Sequence, residues 1–133
     1  MVVDSSALIA LLLAEPETDR LVSAIAAASE RLLSAASYLE TAIVMTARFG
    51  PQSQEKLDKL VAPLSIDIIP FTAEQARIAV TAFQRYGRGS GHPAALNYGD
   101  CFTYALAKLT GQSVLFKRND FARTDLAAAA DLR

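Results

Sequence analysis

The sequence predicts an α/β domain, with a central parallel β-sheet of four to five strands flanked by helices. Three observations carry that expectation. Short apolar or β-branched runs at 2–3, 31–37, 65–71 and 113–116 read as strands. Stretches whose apolar residues recur at helical spacing separate them. Strands that alternate with helices build a parallel sheet covered on both faces.

Each element can be justified in order. "VV" at 2–3 is a short strand ending at Asp4. "SSALIALLLAEP" reads as a helix stopped near Pro16. "ETDRLVSAIAAAS" follows as a second helix, with Leu21, Val22, Ile25 and Ala28 on one face. "RLLSAAS" at 31–37 fits a buried strand, and "YLETAIVMTARFG" a helix ended by Gly50 and Pro51. "SQEKLDKLVAPL" is an amphipathic helix, and "SIDIIPF" an alternating strand. "TAEQARIAVTAFQRYG" is a long helix, and "RGSGHPAALNYG" a loop dense in Gly and Pro. "DCFTYALAKLTG" is a helix, "SVLF" a strand, and the remainder irregular or short helix.

The 133 residues suit one domain spanning 1–133, and a hydrophobic content of 52% is enough for a real core. No apolar run approaches the ~18 residues of a membrane span. The start lacks a basic region before an apolar stretch, so no signal peptide is expected. One cysteine, Cys101, cannot form an internal disulfide. A soluble, cytoplasmic protein without membrane association is the expectation. The net charge of −1 neither announces nor excludes a nucleic-acid partner.

The topology has a chemical consequence, because ligands of such folds bind at the carboxyl ends of the strands. Asp4 ends the first strand, and Glu40 lies in the first turn after the second. Asp100 opens the helix before the last strand, and Asp120 follows that strand. Four acids from distant points should therefore share one edge. Glu30 belongs at the opposite edge, and Glu55 and Asp58 face water on an amphipathic helix.

Helix capping accounts for any one of these acids taken singly. "SYLE" at 37–40 is a Ser-x-x-Glu capping box, and "NYGD" places Asn97 as N-cap with Asp100 three residues on. Asp4 could cap the helix starting at Ser5 or Ser6. "TAEQ" at 72–75 is a further capping box, with Glu74 beside it. The apolar neighbours argue the other way. Leu39, Thr41, Ala42 and Ile43 suggest a largely buried helix around Glu40, and Cys101, Phe102, Tyr104 and Ala105 the same around Asp100. Carboxylates converging in such surroundings repel one another and need a cation, a donor or a proton. A hard divalent cation resolves the conflict. Oxygen ligands suit Mg²⁺ or Mn²⁺, and one cysteine with one histidine does not make a zinc site.

Three stretches carry a resemblance across essentially the whole chain: "MVVDSSALIALLLAEPE", "SAASYLETAIVMTARFG", and "GRGSGHPAALNYGDCFTYALAK" followed by "LFKRNDFARTDL". In their order and spacing the sequence resembles the PIN-domain ribonucleases, and within them the VapC toxins of bacterial toxin–antitoxin pairs. The resemblance implies a single PIN-like domain and a metal-dependent endoribonuclease whose products carry 5′-phosphate and 3′-hydroxyl ends. Asp4, Glu40 and Asp100 match the three acids that hold Mg²⁺ or Mn²⁺ in such enzymes, and Asp120 an acidic position that completes the pocket. The chain departs from part of the family where the fourth acid lies three residues before the Phe, because Arg118 stands there. Asp120 would then act through water, or Asn119 would share its task. Ser6 matches a hydroxyl residue beside the metal and is equally readable as a helix-start residue. The resemblance also implies a homodimer and a VapB-type antitoxin, whose C-terminal segment blocks the acidic pocket in a toxin–antitoxin hetero-oligomer.

RNA drawn to an acidic pocket needs cations around it. Lys117, Arg118 and Arg123 flank Asp120, and Arg85 and Arg88 precede the Gly-rich loop. Ser6, Arg118 and Asn119 are the candidate substrate contacts, whereas Arg85 reads better as a solvated charge. His92, in a loop before Pro93, reads as a structural residue rather than a general base, and Cys101 as a packing residue. Leu8, Ile9, Leu11, Leu12 and Leu13 exceed what one buried face needs, which suggests a protein-binding surface on the first helices. Two rivals stand beside the nuclease. A phosphatase with a nucleophilic Asp would want a second Asp two residues after Asp4, where Ser6 stands. A non-catalytic protein-binding module, its acids merely capping helices, would ignore Mg²⁺ and Mn²⁺.

Overall fold

The computed structural model describes residues 1–117 and 119–128, with the side chains of Asn119 and Asp120 outside the described set. Its strands are β1 (Val2–Val3), β2 (Leu32–Ser34), β3 (Asp67–Ile69) and β4 (Val114–Leu115). Its helices are α1 (Ser5–Leu12), α2 (Thr18–Ala27), α3 (Ala35–Phe49), α4 (Ser53–Val61), α5 (Ala73–Tyr86) and α6 (Tyr98–Thr110), followed by a 3₁₀ turn at Asn119–Arg123. The four strands form one parallel sheet in the order β3-β2-β1-β4. An isolated parallel bridge, Val114 to Ala128, lies where a fifth strand would start.

Period-two alternation divides the strands between two cores. Val2, Leu32 and Val114 face a layer built with Ala79, Tyr86, Tyr104 and Leu106 of α5 and α6. Val3, Leu33 and Leu115 face the opposite layer, with Leu8, Leu21, Ile25 and Leu57 of α1, α2 and α4. β1 is buried on both faces, as the central strand of a parallel sheet must be. β3 is the edge: Asp67 is exposed and Pro70 follows the strand.

Chain order makes a switch point. The strands step outward from β1 to β2 to β3, and β4 then pairs on the other side of β1. The crevice of such a sheet opens between the carboxyl ends of the two strands at the reversal. A backbone donor marks the place: Lys117 N–H, just past β4, donates to Ser6 Oγ at the start of α1 at 3.1 Å. After the 3₁₀ turn the chain is tied back to α6, where Tyr104 Oη donates to Asp125 Oδ1 at 2.7 Å and Lys108 Nζ to Oδ2 at 2.6 Å. Burial and that bond to Asp125 push the Tyr104 phenol up.

Several expectations need correction. The second strand ends at Ser34, not at 37, because the Ser34 hydroxyl accepts from Ala36 N–H and caps α3. "SYLE" is therefore no capping box. Ser37 is fully buried inside the helix, and Glu40 lies in its second turn rather than its first. The helix around Glu40 is not largely buried either: Leu39 and Ile43 are each 58% exposed, on the face α3 turns away from the sheet. α1 ends at Leu12, well before Pro16, where Leu13 N–H closes back on the Ile9 carbonyl. On α2 the buried stripe is Leu21, Ala24 and Ile25, and Val22 sits outside it, about 100° round from Leu21. α6 starts two residues earlier than expected, at Tyr98.

The reassigned cap can be checked by chemical denaturation. Ser34→Ala is expected to lower the unfolding free energy by about 1 kcal/mol. Glu40→Gln is expected to lower it by less than Ser34→Ala does, since the α3 cap is Ser34 and Glu40 lies in the second turn.

Candidate active site at the carboxyl edge of the sheet

Asp4 leaves β1 in extended backbone and caps α1, its Oδ2 accepting from Ser6 N–H at 3.0 Å. The capping account of Asp4 is thus correct as far as it goes. The residue is nevertheless 2% exposed, and its other oxygen is engaged elsewhere. Oδ1 accepts from the Thr103 hydroxyl of α6 at 2.6 Å, and Thr103 Oγ1 lies 3.4 Å from Ser37 Oγ of α3. One short polar line therefore joins the end of β1 to two helices.

Asp100 belongs to the first turn of α6. Asn97 Oδ1 accepts from Asp100 N–H at 2.8 Å, and Asp100 Oδ2 accepts from Asn97 N–H at 2.9 Å, which is a complete capping box. Of the expected apolar neighbours, Cys101, Tyr104 and Ala105 are buried beside it, and Phe102 is half-buried. Asp100 and Thr103 stand three apart on one helix, spacing that puts them on one face. The acid and the group that holds Asp4 are therefore neighbours.

Glu40 reaches the same turn from α3. A Cβ placed on Gly99 would come within 1.9 Å of Glu40 Oε2 and 2.6 Å of its Cδ. Only the missing side chain at 99 lets this carboxylate lie against the residue next to Asp100. Glu74, the control acid beside a capping box, behaves differently. Thr72 caps α5 by accepting from Gln75 N–H, and Glu74 stays exposed.

Asp100 and the Glu40 carboxylate thus meet at the first turn of α6, and Asp4 is bonded one turn further on, at Thr103. Among the described residues they do not close into a ready-made three-ligand cluster. The side chains of Asp120 and Asn119, and all of Arg118, lie outside the described residues; the backbone of Asp120 is in the 3₁₀ turn. Sequence reasoning missed Thr103, Ser37 and Gly99. Thr103 shares a helix face with Asp100 three residues earlier, but nothing local in the sequence ties it to Asp4.

The lesser candidates resolve simply. Ser6 accepts from Lys117 N–H, while the Lys117 ammonium pairs with Glu15. Arg85 stacks over the Tyr86 ring at 4.8 Å, and Arg123 donates to the Pro93 carbonyl at 3.4 Å. His92 Nδ1 accepts from Ala94 N–H at 3.1 Å, and its ring stands edge-on to Tyr86, so it is a structural residue. Cys101 Sγ donates to the Asn97 carbonyl, and burial, with Asp100 adding, pushes its thiol up to about 11. A thiol so placed is a packing group and not a nucleophile.

With this geometry in view, comparison with known proteins defines the class. The chain belongs to the PIN domain family, whose model matches residues 1–126. Ribonuclease VapC of Mycolicibacterium smegmatis is 49% identical over 128 residues, covering 96% of this chain and 98% of that protein. Ribonuclease VapC30 of Mycobacterium tuberculosis is 48% identical over 130 residues, 98% of each. Within the family the chain is thus of the VapC toxin type. Among solved structures, Mycobacterium tuberculosis VapC20, a sarcin–ricin-loop-cleaving toxin, shares the fold with a TM-score of 0.75 at 15% identity over 95% of each chain. A toxin–antitoxin complex from Klebsiella pneumoniae matches with a TM-score of 0.65 at 20% identity, covering 91% of this chain and 89% of that one.

Gly99 offers a direct test of the site. The atoms that an alanine Cβ would meet are the far end of a flexible side chain, so Gly99→Ala can fold by swinging Glu40 away. RNA cleavage by that variant is expected to fall on the order of 100-fold, the scale set by misplacing a reacting group. Thermal unfolding should change little.

Proposed function

We propose that the chain is a Mg²⁺- or Mn²⁺-dependent endoribonuclease, the toxin of a VapBC-type pair, acting through Asp4, Glu40 and Asp100 with Asp120 completing the pocket. The observation that carries the reading is that three acids remote in sequence are tied to the N-terminal half of α6: Asp100 within it, Glu40 against Gly99, and Asp4 through Thr103. Capping alone does not account for it. Glu40 is the N-cap of none of the six α-helices, and Asp4 accepts a bond from α6 that no helix end needs.

The donor set fits a hard divalent cation. Asp4, Glu40 and Asp100 offer oxygen only, while the lone histidine and cysteine are engaged with backbone partners. The two oxygens of Asp4 each accept one bond, leaving lone-pair capacity for a cation. When bound, such an ion supplies Lewis acidity toward a phosphoryl oxygen and lowers the pKa of water.

The chain's own groups do the remaining work. Asn97 holds Asp100 by two bonds, and Ser6 N–H with Thr103 holds Asp4. Gly99 gives Glu40 its place. Ser6 lies at the switch point, and Ser6, Arg118 and Asn119 remain the candidate substrate contacts, whose phosphate contacts would position RNA without reading its bases. Water adds to phosphorus as the bond to the 3′ oxygen breaks, and that oxygen takes a proton. The products are a 5′-phosphate and a 3′-hydroxyl.

Partner surfaces follow from exposed apolar residues, which lie elsewhere than on α1. Leu8 and Leu11 are buried there, and Ile9, Leu12 and Leu13 are half-buried. Exposed ones include Leu39 and Ile43 on α3, Val80 and Phe83 on α5, and Tyr98. Val80, Phe83 and Tyr98 border a groove of about 610 Å³ between α5 and α6, and Leu39, Ile43 and Tyr98 a smaller one of about 360 Å³ that reaches Glu40. A second copy of this chain covering the α5 face would make the homodimer. An antitoxin segment in the groove that reaches Glu40 would occlude the acids. Among the described residues no helix is long and apolar enough to cross a membrane.

Two experiments test these readings. Purified protein should cleave RNA with Mn²⁺ or Mg²⁺ and stop with chelator, leaving 5′-phosphate ends, and Asp4→Asn or Asp100→Asn should abolish cleavage. Retained cleavage in Asp100→Asn would reduce that acid to a helix cap. By sedimentation, Val80→Glu should shift a dimer to monomer, because a charge placed in a desolvated interface has no partner.

A further inference from the structure

We propose that Thr103 is a positioning residue that fixes the Asp4 carboxylate for cation binding, and that Ser37 orients Thr103. This rests on the reading of the acidic site given above. Thr103 and Ser37 are both fully buried, and a buried hydroxyl without a partner is unfavourable. Helical threonines commonly satisfy themselves locally, by donating to the carbonyl four residues earlier. Thr41, Thr81 and Thr110 do so, to Ser37, Arg77 and Leu106. Thr103 instead sends its proton to a residue 99 positions away in sequence, at 2.6 Å.

The sense of the hydrogen bonds follows from proton count. An ionised carboxylate only accepts, so the single hydroxyl proton of Thr103 is committed to Asp4. The 3.4 Å contact with Ser37 must then have Ser37 as donor and Thr103 as acceptor. The line runs Ser37 to Thr103 to Asp4, each bond polarising the next. With Ser6 N–H on Oδ2 and Thr103 on Oδ1, both oxygens of Asp4 are restrained and the carboxylate plane cannot turn. Its remaining lone pairs are thereby pre-set. Without Thr103 only the Ser6 bond remains, and the carboxylate swivels about it.

The test is Mn²⁺ binding to the full chain, followed by calorimetry, with thermal unfolding in chelator as the control for folding. Thr103→Val keeps the shape and removes the donor, and Thr103→Ser keeps the donor. The expected result is affinity about 10–100-fold weaker in Thr103→Val, the usual scale for groups that orient a metal ligand. Thr103→Ser should recover most of that loss, and Ser37→Ala should weaken binding by less than Thr103→Val does. Equal affinity in wild type and Thr103→Val would overturn the inference while leaving the acidic site intact. Equal losses in the Val and Ser variants would also overturn it, since the methyl and not the hydroxyl would then matter. Should Thr103→Val not fold, Ser37→Ala decides: weakened binding supports the line, and wild-type binding refutes it. Failure of the wild type to bind Mn²⁺ is a separate outcome, which removes the acidic-site reading itself and this inference with it.

Discussion

A carboxylate buried at the end of the central strand is the constraint around which this molecule is arranged. Taking an ion out of water has an effective penalty of several kcal/mol unless bonds replace the lost hydration. Asp4 is compensated by a backbone N–H from its own helix and a hydroxyl from α6. The second bond obliges α6 to lie beside the end of β1, and so brings Asp100 with it. It also brings Gly99, against which Glu40 rests. Satisfying one buried charge thus draws together segments that meet nowhere else in the sequence.

The same arrangement shows that a helix cap does not exclude the proposed role of these acids. Asp4 and Asp100 both complete helix N-termini, and the partial positive charge there favours an anion. That bond uses one lone pair of a carboxylate that has about four. The cap fixes the side chain's direction without using all of its lone pairs. A helix start is therefore an inexpensive way to aim an acid, and this edge of the sheet does it twice.

Much of the fold was legible because the two periods are clean. Strands of period two and helices of period 3.6 marked nearly every element, and their alternation marked the parallel sheet. The edge shared by the acids followed from topology. The start of α3 was not legible, because Ser34 and Ser37 are both good N-caps and only the pairing of β2 with β3 through Ser34 decides between them. The exposed apolar faces were misplaced for a related reason. α1 carries more leucines than α3, but it is wedged against the second core, whereas Leu39 and Ile43 point outward. Asp4, Glu40 and Asp100 were identifiable as residues. What held them was not, since a contact between positions 4 and 103 has no local signature.

β1 contains two residues, Val2 and Val3, and each faces a different core. Asp4 is the next step of the same count. A slip of one residue in pairing would exchange the two layers and move the acid off its edge in a single event. Folding and chemistry are therefore indexed by one register, and neither can drift while the other is preserved. A chain that closes its two cores has, by that act, also set the position of its buried acid.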